Sequence, residues 1–301
     1  MEILVCIKRV PDTSENEINV NRDGTDIERD DLVYSVNEWD NYAVEEAIQI
    51  RDRVGGSVTV VTVGDEEAEE VVRREMAMGA DKGILLLDQV FNGSDGRGIA
   101  SIIAAEVEPQ KRAHSPLLAA ENASESKNSK LPYGRRFPAA CAGELQKGKY
   151  DLILTGAQAD DGAGQVGGML AAMLDRPYAS LVTSLEVIDD KKIKVGREIE
   201  GGNVEMLEID LPCVLSIQTG INEPRYVGIR GIRKTASVEI PVYGAEDLGL
   251  SPESVGESGS RVKRLDYFMP DSGEGAEILE GSTDEIVGKL VELLKARGGI
   301  K

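Results

Sequence analysis

The stretch Thr155-Gly156-Ala157-Gln158-Ala159-Asp160-Asp161-Gly162-Ala163-Gly164-Gln165-Val166-Gly167-Gly168 is where this sequence comes nearest to a ligand site. Glycines let a backbone close on a ligand, and the amides at the start of a helix favour phosphate. The stretch lacks the Gly-Lys-Ser/Thr of a Walker loop and is not a GxGxxG fingerprint, so on composition alone a simple tight turn competes with a ligand loop. Asp160 and Asp161 read as paired acids or, with no acid–base partner beside them, as groups that hold a ribose hydroxyl or cap the helix. Lys8 and Arg9 either reach a phosphate or sit solvated at a strand end. Trp39, the single tryptophan, reads more readily as core than as a stacking platform.

Chemistry centred on protein side chains finds little support. The one histidine, His114, lies in a polar, irregular stretch. No Ser-His-Asp or Cys-His pairing, HExxH or GxSxG is visible, so redox or transfer chemistry would fall to a bound cofactor. Cys6, Cys141 and Cys213 are far apart and form no C-x-x-C, which suggests neither a disulfide framework nor a zinc site and fits a reducing cytoplasm. The N-terminal apolar run is too short for a signal segment, and no stretch approaches the roughly 20 apolar residues of a membrane span. A net charge of -20 and a pI near 4.6 argue against general affinity for nucleic acid or an anionic membrane, since phosphate binding needs clustered cations. Solubility alone or charge steering would account for the acidity.

Such a loop needs elements to hold it. Aromatic residues are only 4% of the 301 residues, so the core must be aliphatic, which suits a sheet covered by helices. Ile3 to Ile7 is a short continuous apolar run, the mark of a strand buried on both faces. Residues 13 to 36 are polar and suggest a hairpin turning at Asp23-Gly24. Asn37 reads as an N-cap for a helix from Trp39 to Arg53, with Tyr42, Ala43, Ala47 and Ile50 as its apolar stripe and Gly55-Gly56 as its end. Then follow a strand (Ser57 to Val63), a helix (Glu66 to Met78), a strand (Ile84 to Leu87), a helix (Ile99 to Val107), a strand (Leu152 to Thr155) and a helix (Gln165 to Leu174). This alternation predicts right-handed βαβ units in a mostly parallel, Rossmann-like α/β sheet with helices on both faces. Ligands of such sheets bind beyond the carboxyl ends of the strands, which places the glycine-rich loop correctly.

Later segments change character. Leu181 to Val187, Lys192 to Arg197, Val204 to Ile209 and Val214 to Ile217 come without helices between them and read as hairpin-connected antiparallel edge strands. Residues 1–235 form one α/β domain on this reading, which the resemblance described below makes nucleotide-binding, and 236–301 a C-terminal arm. The arm holds a strand at Arg261 to Phe268 and a helix over Asp284 to Lys295, capped by Thr283, with Ile286, Leu290, Leu293 and Leu294 as its face. With so little core of its own, the arm is expected to pack on a partner subunit or back on the domain. Residues 109–147 carry Lys111, Arg112, Lys127, Lys130, Arg135 and Arg136 in an acidic chain and read as a disordered surface insertion.

The stretch Val195-Gly196-Arg197-Glu198-Ile199-Glu200-Gly201-Gly202-Asn203-Val204-Glu205-Met206-Leu207, followed by Pro212-Cys213-Val214-Leu215, resembles the signature of the electron transfer flavoprotein beta (small) subunit, the FixA-type family. Ser216 stands where that pattern ends in Thr, Ala or Cys. Cys6 to Asp12, Ser35-Val36-Asn37 with Tyr42 to Ala47, Ala77 to Asp81 and Asn222 to Tyr226 agree with the same family. Together these stretches span residues 1 to about 235 apart from the insertion.

The resemblance implies an electron carrier rather than an enzyme. Paired with an alpha subunit, it would take electrons from flavin dehydrogenases, such as acyl-CoA dehydrogenases, and pass them to an electron-accepting oxidoreductase. It implies a buried AMP at Cys6, Asn37, Glu38, Trp39, Asp40, Val63 and the loop Gly156, Ala157, Gln158, Ala159, Asp160, Asp161, Gly162, Ala163, Gly164, Gln165 and Val166. It also implies an FAD shared with, and held mainly by, the alpha subunit. Glu223, Pro224, Arg225, Tyr226 and Ile229 match the recognition loop over Asn222 to Lys234, with Ile229 as the residue that enters a dehydrogenase pocket. The lysine-rich end of that loop is replaced here by Arg230, Arg233, Lys234, Thr235 and Ala236. An alternative within the family is an NADH-dependent bifurcating complex with a second FAD in place of AMP. Gln165-Val166-Gly167 and Phe91 to Asp95 resemble that group, while Gly162-Ala163 stands where an acid and Thr are common there. A nucleotide-binding regulatory domain is a third reading, which the antiparallel signature after Lys192 and the tail oppose.

Overall fold

A computed structural model describes residues 1–108, 150–159, 162–270, 275–276 and 278–300. His114, Cys141, the 109–147 insertion and the pair Asp160 and Asp161 therefore lie outside the described residues. The chain divides into two units, one of Met1–Glu17 with Asp30–Arg264 and one of Ile18–Arg29 with Leu265–Lys301.

Among the described residues the larger unit is built on a nine-stranded sheet. At its centre lie β1 (Glu2–Cys6), β4 (Ser57–Val63), β5 (Lys82–Leu86), β6 (Leu152–Gly156) and β10 (Cys213–Ile217), all parallel. Their apolar runs are continuous because both faces are covered. On one face lie α1 (Glu38–Val54) and α2 (Glu69–Met78), over Ile3, Val5, Val58, Leu154 and Leu215. On the other lie α3 (Gly96–Val107) and α4 (Val166–Leu174), over Leu4, Cys6, Val61, Ile153 and Val214. The expected α/β architecture with helices on both faces is thus present. β2 (Arg9–Pro11) and β3 (Tyr34–Val36) form a separate antiparallel pair just before α1.

Two expectations need correction. Val214 to Ile217 is not an antiparallel edge strand, for β10 lies between β6 and β7 and runs parallel to both. Every residue from Cys213 to Ile217 is buried, and only an interior position covers both faces of such a run. The antiparallel edge is confined to β7 (Tyr178–Val187), β8 (Lys192–Ile199) and β9 (Asn203–Asp210). There, inward Ile193, Val195 and Ile209 alternate with outward Lys192, Lys194 and Glu208. Secondly, Arg261 to Phe268 forms no strand.

The larger unit continues past residue 235. α5 (Ile229–Thr235) packs on α2, and β11 (Val242–Tyr243) adds a parallel strand beside β5. α6 (Gly256–Gly259) follows, and Ala245, Leu248 and Val255 are buried in the core under α3. In the smaller unit Val20 bridges Ile27 across a turn containing Gly24, near the expected hairpin. Its helix α7 (Thr283–Ala296) starts from Ser282 rather than Thr283, with Glu285 Oε2 accepting from the Ser282 N–H at 2.8 Å. No residue of α7 is buried.

Candidate functional site

The carboxyl ends of β1, β4, β6 and β10 share one edge of the sheet, and α1 begins there. Its start departs from the simple cap expected of Asn37. The Asn37 side chain makes no capping bond to α1. Instead its Nδ2 donates to the Gln158 carbonyl at 2.9 Å, and its backbone N–H donates to the Lys8 carbonyl at 2.9 Å. Asn37 is buried, yet among the described residues its Oδ1 has no hydrogen-bond partner. A buried acceptor left open costs about 1–3 kcal/mol unless a ligand or water fills it.

Asp40, one turn further on, is also buried. Its Oδ2 accepts from the Lys8 N–H at 2.8 Å and its Oδ1 from the Gly156 N–H at 3.0 Å. Burial pushes this carboxyl up to about 7, although bonds from Asn37, Gly156 and Lys8 and the Lys8 charge pull the other way. Gly156 is glycine for a steric reason, because a Cβ there would clash with Asp40 Oδ1 and Trp39 Cβ. Gly164 has φ +62°, and a Cβ on it would stand 2.6 Å from the Ala157 carbonyl oxygen. Between them the loop turns on an Ala159–Gly162 bridge. Among the described residues no side chain caps α4 where the loop ends, and helix-start amides of this kind suit an anion.

The remaining residues singled out from sequence sort by place. Trp39 is half-buried against Gly156, with its Nε1 donating to Gln218 Oε1 at 3.0 Å. Cys6 ends β1 within the apolar core, and burial raises its thiol far above the ordinary range, so it is no nucleophile. Val63 ends β4 at the same edge, half-buried, whereas Glu38 is exposed. Arg9 is not a solvated cation, for its guanidinium stacks 3.6 Å from the Tyr34 ring centroid and pairs with Glu67 at 2.7 Å.

A second region faces outward. Tyr226 is 93% exposed and Ile229, the first residue of α5, is 68% exposed. Their backbone is pinned from behind by α1. Arg225 forks onto Glu45 through Nε and Nη2 at 2.8 and 3.0 Å, and Asn222 Nδ2 donates to the Tyr42 carbonyl and to Glu46 Oε2, each at 3.1 Å. Burial would raise Glu45, but the Arg225 bonds and charge hold it below the usual carboxylate range. Glu223 is exposed and Pro224 half-buried. Sequence reading missed Glu45 and Glu46, although two adjacent acids inside the apolar stripe of an amphipathic helix are a visible signal for buried partners.

A family model described as the electron transfer flavoprotein domain matches residues 25–131 and 135–248. The chain belongs to the electron transfer flavoprotein beta-subunit family. A caffeyl-CoA reductase–Etf complex subunit, CarD, of Acetobacterium woodii is 34% identical over 300 residues, covering 99% of each chain. The electron transfer flavoprotein beta subunits of Methylophilus methylotrophus and Thermoanaerobacterium thermosaccharolyticum are 31% and 33% identical, covering 98% and 99% of each chain. An electron transfer flavoprotein is a flavin-associated electron-transfer protein, and its beta subunit works with an alpha subunit. Among the described residues no helix is long and apolar enough to cross a membrane.

Proposed function

We propose that this chain is the small subunit of a heterodimeric electron carrier that holds AMP on the carboxyl edge of its sheet and shares an FAD with its alpha subunit. The observation that carries the reading is the cradle at that edge. A glycine loop is held from behind by Asn37 and Asp40, and one buried acceptor, Asn37 Oδ1, is left for a ligand. The fit is chemical as well as steric. An amide oxygen suits an adenine amino group or a ribose hydroxyl, and the uncapped start of α4 suits a phosphate. FAD, when bound, supplies the electron chemistry. This chain's residues position it, exclude water from the edge and present Tyr226 and Ile229 to a dehydrogenase. The terminal helix α7, with Val287, Leu290, Leu293 and Leu294 exposed, would lie on the alpha subunit, and the carrier would work in the cytoplasm.

A second reading places another FAD where AMP would lie, as part of a reductase complex. The relative from Acetobacterium woodii bears a reductase-complex name. The start of α3 lies beside the end of the loop, since a Cβ on Gly96 would stand 3.0 Å from Gln165 Oε1, and a ligand longer than AMP would extend towards it. Acid extraction of the co-purified heterodimer separates the two. One FAD and one AMP per heterodimer supports the carrier. Two FAD, reducible by NADH, supports the second reading, and absence of any flavin overturns both.

A further inference from the structure

The turn ahead of α3 holds two parts of the chain at once. Asp95 is the N-cap of that helix, and its Oδ1 accepts from the Gly98 N–H at 2.8 Å. Its other oxygen, Oδ2, accepts from the Arg261 N–H at 2.8 Å, 166 positions further along the chain. Ser94 beside it takes the Gly256 N–H on its Oγ at 2.8 Å, and the Asn92 carbonyl takes the Glu257 N–H at 3.0 Å. The fit is close enough to call for glycine on both sides. Gly93 has φ +76°, and a Cβ on it would stand 3.1 Å from Glu257 Cβ, while Gly256 has φ +66°, and a Cβ on it would clash with the Val90 carbonyl. Residues 92–95 are thus a seat for residues 256–261. The seat follows β5 and precedes α3, on the same edge of the sheet as the glycine loop. The larger unit ends at Arg264 and the tail of the smaller one begins at Leu265. Among the described residues, 262–264 make no hydrogen bond to a strand or helix of the larger unit. The Arg261 amide is therefore the last fixed point before the tail leaves.

We propose that Asp95 is a positioning residue for the alpha subunit, whose second carboxylate oxygen fixes the root of the tail on the carboxyl edge of the sheet and so fixes the point from which the tail reaches that subunit. The proposal rests on the reading of α7 as a contact of the alpha subunit. A tail tied at its root has less conformational freedom to lose on binding, which strengthens the complex without a new contact. Aspartate suits the task because one group must satisfy two amides. Serine caps a helix as well as aspartate does, but its single short hydroxyl serves one of the two. The Gly98 and Arg261 amides hold the Asp95 carboxyl below the usual carboxylate range, so both bonds are charge-assisted at neutral pH.

The test uses the full chain with its alpha subunit and compares wild type with Asp95→Ser, which keeps the cap of α3 and gives up the bond to Arg261. Dissociation of the heterodimer on dilution, followed by analytical ultracentrifugation, should show a Kd raised about tenfold, the worth of one charge-assisted bond. Amide exchange should quicken at residues 256–264 and stay as in wild type over α3, a pattern that general loss of structure would not give. An unchanged Kd with 256–264 loosened overturns the role of Asp95, and so does a weaker heterodimer in which α3 alone is loosened. The double variant Leu290→Asp, Leu294→Asp separates the underlying reading, since both side chains are exposed on α7. If that variant binds the alpha subunit like wild type, the reading of α7 falls and this inference with it. A measurement on wild type covers an Asp95 variant that fails to fold. The Arg261 amide should be protected from exchange in the heterodimer, and exchange there as fast as in a free chain overturns the proposal.

Discussion

The glycine loop and the segment from Asn222 to Thr235 are both anchored on α1, yet they use that anchor in opposite ways. At the loop, Asn37 and Asp40 in the first turn hold backbone, and what remains for a ligand is backbone amide and one buried oxygen. At the segment, Glu45 and Glu46 in the middle of the helix hold Arg225 and Asn222, and what remains is exposed side chain, Tyr226 and Ile229. A site that must close on a small molecule keeps its side chains out of the way. A site that must fit another protein displays them on a backbone it has immobilised. On the proposed reading one helix serves two recognition tasks, and substitutions should separate them.

The largest separation is expected from Gly164→Val. A branched side chain at φ +62° against the Ala157 carbonyl should cost about 3 kcal/mol of nucleotide affinity, roughly a hundredfold, by sterics and strain together. Nucleotide content by acid extraction should fall while reduction by a dehydrogenase partner keeps its KM. A fall in both would break the comparison. Ile229→Asp should do the reverse, raising that KM by about 2 kcal/mol equivalent, more than tenfold, through loss of an apolar anchor, with nucleotide content unchanged. Glu45→Ala sharpens the contrast, because it touches neither ligand nor partner. Freed from its fork, Arg225 should let the segment move and raise the same KM by about 1 kcal/mol equivalent, roughly fivefold. An unchanged KM would show that the segment is rigid without α1.

A smaller effect concerns the frame itself. Glu75 of α2 is fully buried, neither of its carboxylate oxygens has a hydrogen-bond partner among the described residues, and burial raises it to about 8. Its folded-state value lies above its unfolded one, so the folded protein binds the proton more tightly. Stability should therefore fall as pH rises from about 4.5 to about 8. Glu75→Gln removes that dependence, and its advantage in thermal unfolding should grow from near zero in mild acid to about 1 kcal/mol or more above pH 8. Equal pH profiles for the two proteins would show that Glu75 is solvated.

How much of this was legible in the sequence follows from where the information is local. The strands at Ile3, Ser57, Ile84 and Leu152 announce themselves, because burial on both faces forces unbroken aliphatic runs. The same logic, applied to Cys213 to Ile217, would have placed β10 inside the sheet. Its neighbours in sequence, β7 to β9, alternate and so suggest an edge strand. Adjacency in sequence misled where the burial pattern was sufficient. Arg261 to Phe268 has strand-like residues and no ladder, since propensity cannot supply a partner strand. At the site, the glycines and Asn37 were visible as types. The route from Asn37 to Gln158 was not, because it joins residues 121 positions apart. The anchoring acids Glu45 and Glu46 were hidden for the same reason, their partners lying near residue 222.

Backbone amide exchange read by mass spectrometry, with and without AMP on the nucleotide-stripped heterodimer, tests the central claim most directly. Protection on adding AMP should concentrate in residues 156–166 and the first turn of α1 and leave residues 222–235 unchanged. Protection that appears elsewhere while 156–166 exchanges as before would contradict the placement of the nucleotide on this edge.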